Sequence, residues 1–324
     1  MTIRSRRLTL LALAALCASL SAPAAWSQAW PSRVIRIQVG FAPGGPTDNV
    51  ARNFATKLST ELGQQVIVEN KPGAGGTLAA AAAAKAPADG YTLLFGEPGS
   101  IAVNPAQTKV PYDPLKDFIP LAQVVSLPMV LVASPSLKVN SLAGLIAAAK
   151  AKPLPFGTPG NGTMQHLVMM DFGQATGASF THVAYKGGPQ ALTDLLGGQI
   201  PLTMITVPTV LPHVKNATVV PLAVVAPRRS AQLPQVPTFT EAGFPAFVQD
   251  GWQGFFAPAG TPAPVVARLV AAIQKVGKDP ELVSALTATG ANVVITDPQD
   301  FAATLTRDVA YWARVVAANP AAKD

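Results

Sequence analysis

From residue 34 onward, short runs rich in β-branched residues alternate with longer runs rich in alanine and leucine. The clearest β-type runs are 35–41, 65–69 and 91–95, and helical runs fall between them at 47–62 and 77–85. Strands that alternate with helices in this way form parallel sheets joined by right-handed crossovers. The order of the runs therefore predicts an α/β fold.

The same alternation continues to the end of the chain. It passes through 129–133, 142–149, a helix from about 165, 188–196, 219–226, 251–256, 264–275, 281–289 and 298–318. Nearly 300 residues of this pattern exceed the usual size of one hydrophobic core. Two lobes are therefore expected, and two lobes imply a cleft between them.

The first 27 residues have the composition of a secretory signal peptide. A basic start with three arginines precedes the apolar run 8–20, and small residues follow it. A membrane-spanning helix needs about 20 apolar residues, so this run is too short to span a bilayer. We expect cleavage after Ser27, with Ala24 as the alternative, and a periplasmic product that does not itself span the membrane.

Cysteine content and charge exclude several other classes of protein. Cys17 is the single cysteine and lies within the leader, so the mature chain has no disulfide, thiolate metal ligand or cysteine nucleophile. The formal charge is +7, but the basic residues are scattered, and after the leader only Arg228 and Arg229 are adjacent. No nucleic-acid partner is therefore expected.

A first candidate site is the segment 41–49, which follows a strand and opens a helix. Pro43 ends the strand, the glycine pair after it allows a tight turn, and Thr47 or Asp48 can cap the helix. N–H groups at a helix start have no partner within the helix, and with the helix dipole they bind small anions. The alternative is an ordinary strand-to-helix turn with a good cap.

Two further loops have the same character. In 157–166, Asn161, Thr163 and Gln165 can donate hydrogen bonds, and His166 can act as a donor or a cation, with a structural role as its alternative. The segment 184–189 precedes another helix. There Tyr185 offers an apolar face with a hydroxyl, and Lys186 is interpreted as a solvated surface charge. Three such helix starts would converge on a cleft and present N–H donors to a carboxylate.

The common catalytic motifs are absent from the sequence, with no GxSxG elbow, HExxH pair or Walker A lysine. The segment 73–78 resembles a dinucleotide loop, but Leu78 occupies the place of the third glycine, so we interpret it as a turn into a helix. A hydrolase built on Asp48, His166 and a hydroxyl would need a nucleophile and base that no motif supplies. The chain is predicted to be neither an enzyme nor a cofactor-binding protein.

These motifs resemble those of the Bug-type solute-binding proteins, the extracytoplasmic receptors of tripartite tricarboxylate transporters. The resemblance covers essentially the whole chain after the leader, in the right order. Its most specific strings are WPSRVIRIQVGFAPGGPTDNVAR, LGQQVIVENKPGAGGTLAAAAAAKAPADGYTLLFG, AVNP, GTPGNGTMQHL, HVAYKGGPQALTDLLGGQ and WQGFFAPAGTPAPVVARL.

The resemblance implies a two-lobed periplasmic binding protein of type II. Each lobe would have a central, mostly parallel sheet flanked by helices, and the ligand would bind in the cleft. Residues 28–127 and 250–324 would form the first lobe, and residues 128–249 the second.

The resemblance also implies which residues bind the ligand. The backbone around 44–48 would hold a carboxylate, partly through ordered water, while the second loop approaches from the other lobe. Phe41 and Tyr185 would line the cleft. The predicted ligand-binding set is Phe41, Gly44, Gly45, Pro46, Thr47, Asp48, Glu97, Gly160, Asn161, Thr163, Gln165, His166, Tyr185 and Pro208.

Three positions depart from the family's pattern. Pro201 stands where an acidic residue is usual, Met204 where an aromatic residue is usual, and Glu97 where small hydroxyl residues are common. If Glu97 faces the pocket, it would disfavour a second ligand carboxylate by repulsion and favour an amine or a neutral tail.

The predicted function is thus a periplasmic receptor that captures a small organic carboxylate and presents it to two integral membrane subunits. We expect it to act as a monomer through a hinge equilibrium that the ligand biases. A sensory receptor that reports a carboxylate to a membrane kinase would have the same fold, and the sequence leaves it as the alternative.

Overall fold

A computed structural model describes residues 30–249 and 251–318. The predicted signal peptide, its cleavage site at Ser27 and Cys17 lie outside these ranges. Residues from Arg33 onward form one compact unit. Among the helices of the described ranges, none combines the length and the apolar character that crossing a membrane requires.

Eleven strands and ten α-helices lie in the described ranges. The strands are β1 (Ile35–Val39), β2 (Val66–Asn70), β3 (Thr92–Gly96), β4 (Phe118–Ser126), β5 (Met129–Ala133), β6 (Leu154–Thr158), β7 (Phe180–Ala184), β8 (Leu202–Thr206), β9 (Val220–Val225), β10 (Trp252–Pro258) and β11 (Asn292–Val293). The helices are α1 (Pro46–Leu62), α2 (Thr77–Ala84), α3 (Asn104–Gln107), α4 (Leu142–Ala151), α5 (Met164–Thr176), α6 (Gly188–Leu196), α7 (Val207–Lys215), α8 (Ala263–Val276), α9 (Pro280–Ala288) and α10 (Pro298–Ala318). A π-helical turn at Gly99–Val103 precedes α3.

The strands form two sheets, in the orders β11-β4-β10-β3-β1-β2 and β7-β6-β8-β5-β9. Strand β1 is parallel to β2 and β3, and β6 is parallel to β7 and β8. Strand β10 is antiparallel to β3 and β4, β11 is antiparallel to β4, and β5 is antiparallel to β8 and β9. The predicted α/β class with two sheets flanked by helices is confirmed.

Four of the six strands of the first sheet and four of the five strands of the second run in the same direction, so the expectation of mostly parallel sheets holds, with β10, β11 and β5 reversed. The reversal of β5 and β10 follows from how the chain passes between the two sheets. It leaves the first sheet after β4 and enters the second at β5, and it returns to the first sheet at β10. A strand that enters a sheet at the edge where its parallel neighbours end must run antiparallel to them.

Sheet membership changes at residues 127–128 and again between 226 and 251. The division of the chain into lobes at 127/128 and 249/250 stays a prediction, and the last helix packs against both cores. Its residues Phe301 and Leu305 pack in the core of the first sheet, whereas Trp312 and Val316 pack in the core of the second. A helix of this length extends about 30 Å, so α10 reaches from one core to the other.

The core of the first sheet is built around aromatic side chains on β3 and β10. The ring centroids of Phe95 and Phe255 lie 4.8 Å apart, and those of Phe256 and Phe301 lie 4.9 Å apart. Gly254 immediately precedes Phe255 and Phe256 on β10. A Cβ atom there would lie 2.5 Å from the Phe301 ring and 2.6 Å from the carbonyl oxygen of Ala122. Only glycine therefore allows α10 to approach this sheet so closely.

We expect Gly254→Ala to destabilise the protein by about 1–3 kcal/mol, because the added methyl group overpacks a core with no room for it. Urea denaturation monitored by circular dichroism measures the change. Gly144→Ala in α4 is the matched control, since a Cβ atom there meets Ser141 Oγ at 3.4 Å, an ordinary contact. That control should be neutral or stabilising by up to about 1 kcal/mol. Equal stability of the two variants would contradict the packing argument.

Candidate functional site

A cavity of about 160 Å³ lies between the facing edges of the two sheets. This volume suits a ligand of about six to ten non-hydrogen atoms. Its walls come from the segments after β1, β3, β6, β7 and β8, together with the chain crossings near β5 and β10. The lining residues are Phe41–Pro43, Gly45–Thr47, Glu97, Pro98, Leu127, Met129, Pro159, Thr163–Gln165, Lys186–Gln190, Thr206, Thr209, Gly251 and Gln253.

Four helices begin at this cavity. They are α1, α5, α6 and α7, and their caps are Gly45, Thr163, Gly187 and Thr206. The first-turn N–H groups of a helix have no partner within that helix, and its dipole makes this end positive. The N-termini come from both sides of the cavity, one following the first sheet and three following the second. The cavity therefore has the electrostatic character of an anion site.

The turn before α1 is held by Asp48, which is 1% exposed and does not line the cavity. Its carboxylate accepts hydrogen bonds from Gly44 N at 2.9 Å, Arg52 Nε at 2.8 Å and Asn70 Nδ2 at 2.8 Å. Burial acts to raise the pKa of Asp48, but these hydrogen bonds and the charge of Arg52 hold that pKa below its usual value. Asp48 thus fixes the turn from behind while Gly45, Pro46 and Thr47 face the cavity.

Thr47 is joined to strand β10 of the first sheet by Gln253, whose Nε2 donates to Thr47 Oγ1 at 2.6 Å. Both side chains are almost fully buried, and both residues line the cavity. The Oε1 atom of Gln253 is buried and has no hydrogen-bond partner within the described ranges. A residue of the cavity wall therefore carries a buried acceptor that no group of the described residues satisfies.

Glu97 follows β3 and lines the same cavity. Its carboxylate accepts hydrogen bonds from Gly99 N at 2.8 Å and Ser100 N at 2.9 Å, and so caps the helical turn that follows. Burial raises the pKa of the Glu97 carboxyl to about 7, against the lowering effect of these donors. The side chain is therefore not directed into bulk solvent, and it places an ionisable acceptor in the cavity wall.

The loop before α5 is held by its own hydroxyl groups. Thr163 Oγ1 accepts from His166 N at 3.4 Å and donates to the carbonyl oxygen of Gly160 at 2.8 Å. Thr158 Oγ1 donates to the same carbonyl oxygen at 3.2 Å. Thr163 and Gln165 line the cavity, whereas Asn161 borders a separate pocket with His166 and Phe180.

His166 stacks on His182 instead of facing the cavity. The two ring centroids lie 3.9 Å apart with an interplanar angle of 17°. His166 is 6% exposed and its Nδ1 atom has no hydrogen-bond partner within 30–249 and 251–318, while His182 Nε2 lies 2.6 Å from Thr158 Oγ1. Burial lowers the pKa of His166 to about 4, and burial together with the charge of His166 lowers that of His182 to about 3. Both rings are neutral at pH 7.

Tyr185 also lies outside the cavity wall. Its hydroxyl donates to Asp194 Oδ2 at 2.7 Å, and its ring packs in the core of the second sheet. Burial and the neighbouring Asp194 raise the pKa of Tyr185 to about 12. Lys186, the next residue, lines the cavity with an exposed side chain.

Half of the predicted site residues meet at the cavity. Phe41, Gly45, Pro46, Thr47, Glu97, Thr163 and Gln165 line it, whereas Gly44, Asp48, Gly160, Asn161, His166, Tyr185 and Pro208 do not. Gly44 and Pro208 line an adjoining pocket. Ligand contact by any member of the set stays a prediction.

Sequence reasoning missed Thr206, Thr209 and Gln253 as cavity residues. Thr206 had an available local signal, because a threonine before Val207 and Pro208 has the pattern of a helix cap with proline in the first turn. Gln253 had no local signal, since its place depends on how β10 pairs with β3.

Comparison with known proteins agrees with this architecture. The model of the tripartite tricarboxylate transporter family receptor matches residues 50–320. This chain belongs to that receptor family. Protein BugT of Bordetella pertussis is 36% identical over 316 residues, which cover 96% of this chain and 97% of BugT.

Two solved structures of receptor-family relatives contain carboxylates. A protein of R. palustris solved with adipate is 35% identical, with a TM-score of 0.84, covering 89% of this chain and 97% of that one. The MatC protein of Rhodopseudomonas palustris, solved with bound malate, is 32% identical, with a TM-score of 0.82, covering 89% of this chain and 100% of that one. The resemblance to Bug-type receptors is thereby confirmed, as is the two-lobed binding-protein fold.

The buried histidine pair predicts a loss of stability in mild acid. Their pKa values are lower in the folded chain than the usual 6.5, so the unfolded chain binds protons first as the pH falls. The contribution is fully present above about pH 6.5 and is lost toward pH 4. We expect His166→Phe, which keeps the stack, to gain about 1–2 kcal/mol relative to the unsubstituted chain between pH 7 and pH 5.

Urea denaturation at pH 7, 6 and 5 measures this difference. His213→Gln is the control, because His213 is not in the stack and lies beside Thr218. A stability difference between His166→Phe and the original chain that stays constant with pH would contradict the buried neutral pair.

Proposed function

We propose that this chain is a receptor that captures a small organic carboxylate in the cavity between its two sheets. The observation that carries the proposal is the convergence of four helix N-termini on a single cavity of ligand size. Pro46, Pro189 and Pro208 have no N–H, and the N–H groups of His166 and Val207 already have acceptors in Thr163 and Pro128. The other first-turn N–H groups need acceptors, and a carboxylate supplies two acceptor oxygens with a negative charge. The relatives solved with adipate and malate support a carboxylate as the ligand class.

Binding would couple to closure of the two halves, because the donors come from both sides of the cavity. A ligand that contacts α1 and α5 together makes more contacts in the closed arrangement than in an open one. It therefore stabilises the closed arrangement. Asp48 would act through the turn that it holds and not by touching the ligand. No covalent step is required, and we propose that the ligand is released unchanged.

The delivery step is proposed from family membership. We propose that the receptor works in the periplasm after removal of a signal peptide near Ser27, and that it presents its ligand, as a monomer, to two integral membrane subunits. Membership in the tripartite tricarboxylate transporter receptor family supports this role.

The test is a thermal-shift assay of the mature chain against a panel of mono-, di- and tricarboxylates and amino acids. A ligand that binds only the folded state raises the melting temperature, by an amount that corresponds to about 2.7 kcal/mol at 100 times Kd. We expect at least one small carboxylate to raise it by several degrees. A panel in which no member changes the melting temperature would contradict the proposal.

We expect Gly45→Leu to abolish this shift while leaving the melting temperature of the unliganded protein nearly unchanged. Gly45 has φ −76° and ψ 166°, and a Cβ atom there lies 3.6 Å from the Ala42 carbonyl oxygen, so the backbone accepts a side chain. The side chain would then occupy the cavity that Gly45 lines. Gly144→Leu, in α4 and away from the cavity, should retain the shift. Equal losses of binding and stability in Gly45→Leu would argue for a purely structural turn.

A further inference from the structure

One wall of the cavity presents hydrogen-bond acceptors, in contrast to the donors of the helix N-termini. Glu97 contributes a carboxylate and Gln253 contributes an amide oxygen, and both residues line the cavity. Gly96 pairs with Gly254 at the end of the antiparallel β3–β10 ladder, and Glu97 and Gln253 are the residues next to this pair along the sequence.

These acceptors have unused capacity. Each Glu97 oxygen accepts one backbone hydrogen bond, from Gly99 N or Ser100 N, and a carboxylate oxygen can accept a second. Gln253 is 4% exposed, and its Oε1 atom has no partner within the described ranges. A buried acceptor without a donor costs free energy, so a ligand donor that reaches this atom, directly or through an ordered water, would be stabilised there.

The charges around Glu97 leave its carboxylate without a buried cation among the described residues. Lys186 lines the same cavity, but its side chain is exposed to solvent. Asp48 lies outside the cavity wall and is paired with Arg52. Tyr112 packs behind the turn that follows Glu97 and donates its hydroxyl hydrogen bond to the Ser100 carbonyl oxygen. The interior of the cavity therefore has a negative group at one wall and positive helix ends at the others.

We propose that the ligand is a small zwitterion, a carboxylate that also carries an ammonium group, with Glu97 and Gln253 as the acceptors for the ammonium. This inference rests on the proposed function, since the helix N-termini must hold the ligand carboxylate. Glu97 then acts as a specificity-determining residue. A second carboxylate at the same place would meet the Glu97 charge at short range in a site shielded from water, so dicarboxylates are disfavoured.

The experiment compares three ligand series of equal length by isothermal titration calorimetry at pH 8, where Glu97 is ionised. The series are ω-amino carboxylates from glycine to 6-aminohexanoate, the dicarboxylates of two to six carbons, and the unsubstituted alkanoates of the same lengths. We expect the tightest ω-amino carboxylate to bind the original chain at least tenfold more tightly than the dicarboxylate of the same length. Tenfold corresponds to about 1.4 kcal/mol.

Glu97→Gln keeps the size of the side chain and one acceptor oxygen but removes the charge, so it should lose this tenfold preference. Glu69→Gln is the matched control. It lies on β2 in the same sheet and is bonded to Gln38 and Arg36, away from the cavity, so it should keep the preference. Gln253→Met should weaken binding of the ω-amino series more than binding of the alkanoates. Circular dichroism and the melting temperature establish that each variant is folded.

The outcomes separate the two proposals. Dicarboxylates that bind the original chain as tightly as the ω-amino series overturn the zwitterion inference and leave the carboxylate receptor standing. If Glu97→Gln keeps the ligand ranking of the original chain, the zwitterion inference is also overturned and the carboxylate receptor still stands. Absence of binding by all three series overturns the carboxylate receptor, and the zwitterion inference with it.

Discussion

The first N–H groups of a helix cannot be satisfied within that helix, and in this fold four helices bring such groups to one enclosed space. The arrangement follows from strand direction. Parallel strands end at the same edge of a sheet, so the helices that follow β1, β6, β7 and β8 all begin at that edge. The two sheets turn these edges toward each other, which concentrates partial positive charge from both sides where water is partly excluded. The cavity is thus a consequence of topology before any side chain is considered.

Glycines at close backbone approaches keep the two halves near enough to enclose that space. A Cβ atom on Gly162, in the loop before α5, would lie 1.6 Å from Asn104 Oδ1, and one on Gly75 would lie 2.9 Å from the Asn161 carbonyl oxygen. Asn104 in turn holds the turn near Gly75, since its Nδ2 donates to the Ala74 carbonyl oxygen at 2.8 Å and to Thr77 Oγ1 at 2.9 Å. One asparagine therefore braces a turn of the first half and contacts a loop of the second.

Local pattern predicted those parts of the fold in which each element carries its own signal. The predicted runs 129–133 and 298–318 coincide with β5 and α10, and the predicted helix 47–62 begins one residue after the observed start of α1. The strands β4, β6, β7 and β8 and the helix α7 were missed, as were the short elements α3 and β11. β4 contains Pro120, β6 contains Pro155 and Gly157, and α7 contains Pro212 in its interior, all of which oppose the local preference. Tertiary packing decides the structure there.

The candidate site likewise has features that local sequence predicts and features that depend on tertiary contacts. Gly45, Thr47 and Thr163 line the cavity because the glycine turn and the helix cap place them there, and both are local features. Side-chain direction is not local. His166 finds a stacking partner in His182, and Tyr185 finds an acceptor in Asp194. A sequence of one protein contains no sign of these pairings, so the loops were predictable while the direction of these side chains was not.

Glu97 has two roles: its side chain caps the helical turn that follows β3, and it is the residue that we propose determines ligand specificity. Its two oxygens are anchored by the N–H groups of Gly99 and Ser100, so its carboxylate is already ordered before a ligand arrives. Ordering a free glutamate on binding would cost about 1–2 kcal/mol of side-chain entropy, and here folding has already met that cost. A group held this rigidly cannot turn away from a mismatched ligand. The same hydrogen bonds that cap the helical turn therefore make the position of this carboxyl group a fixed property of the cavity, which any ligand entering between the helix ends must accommodate.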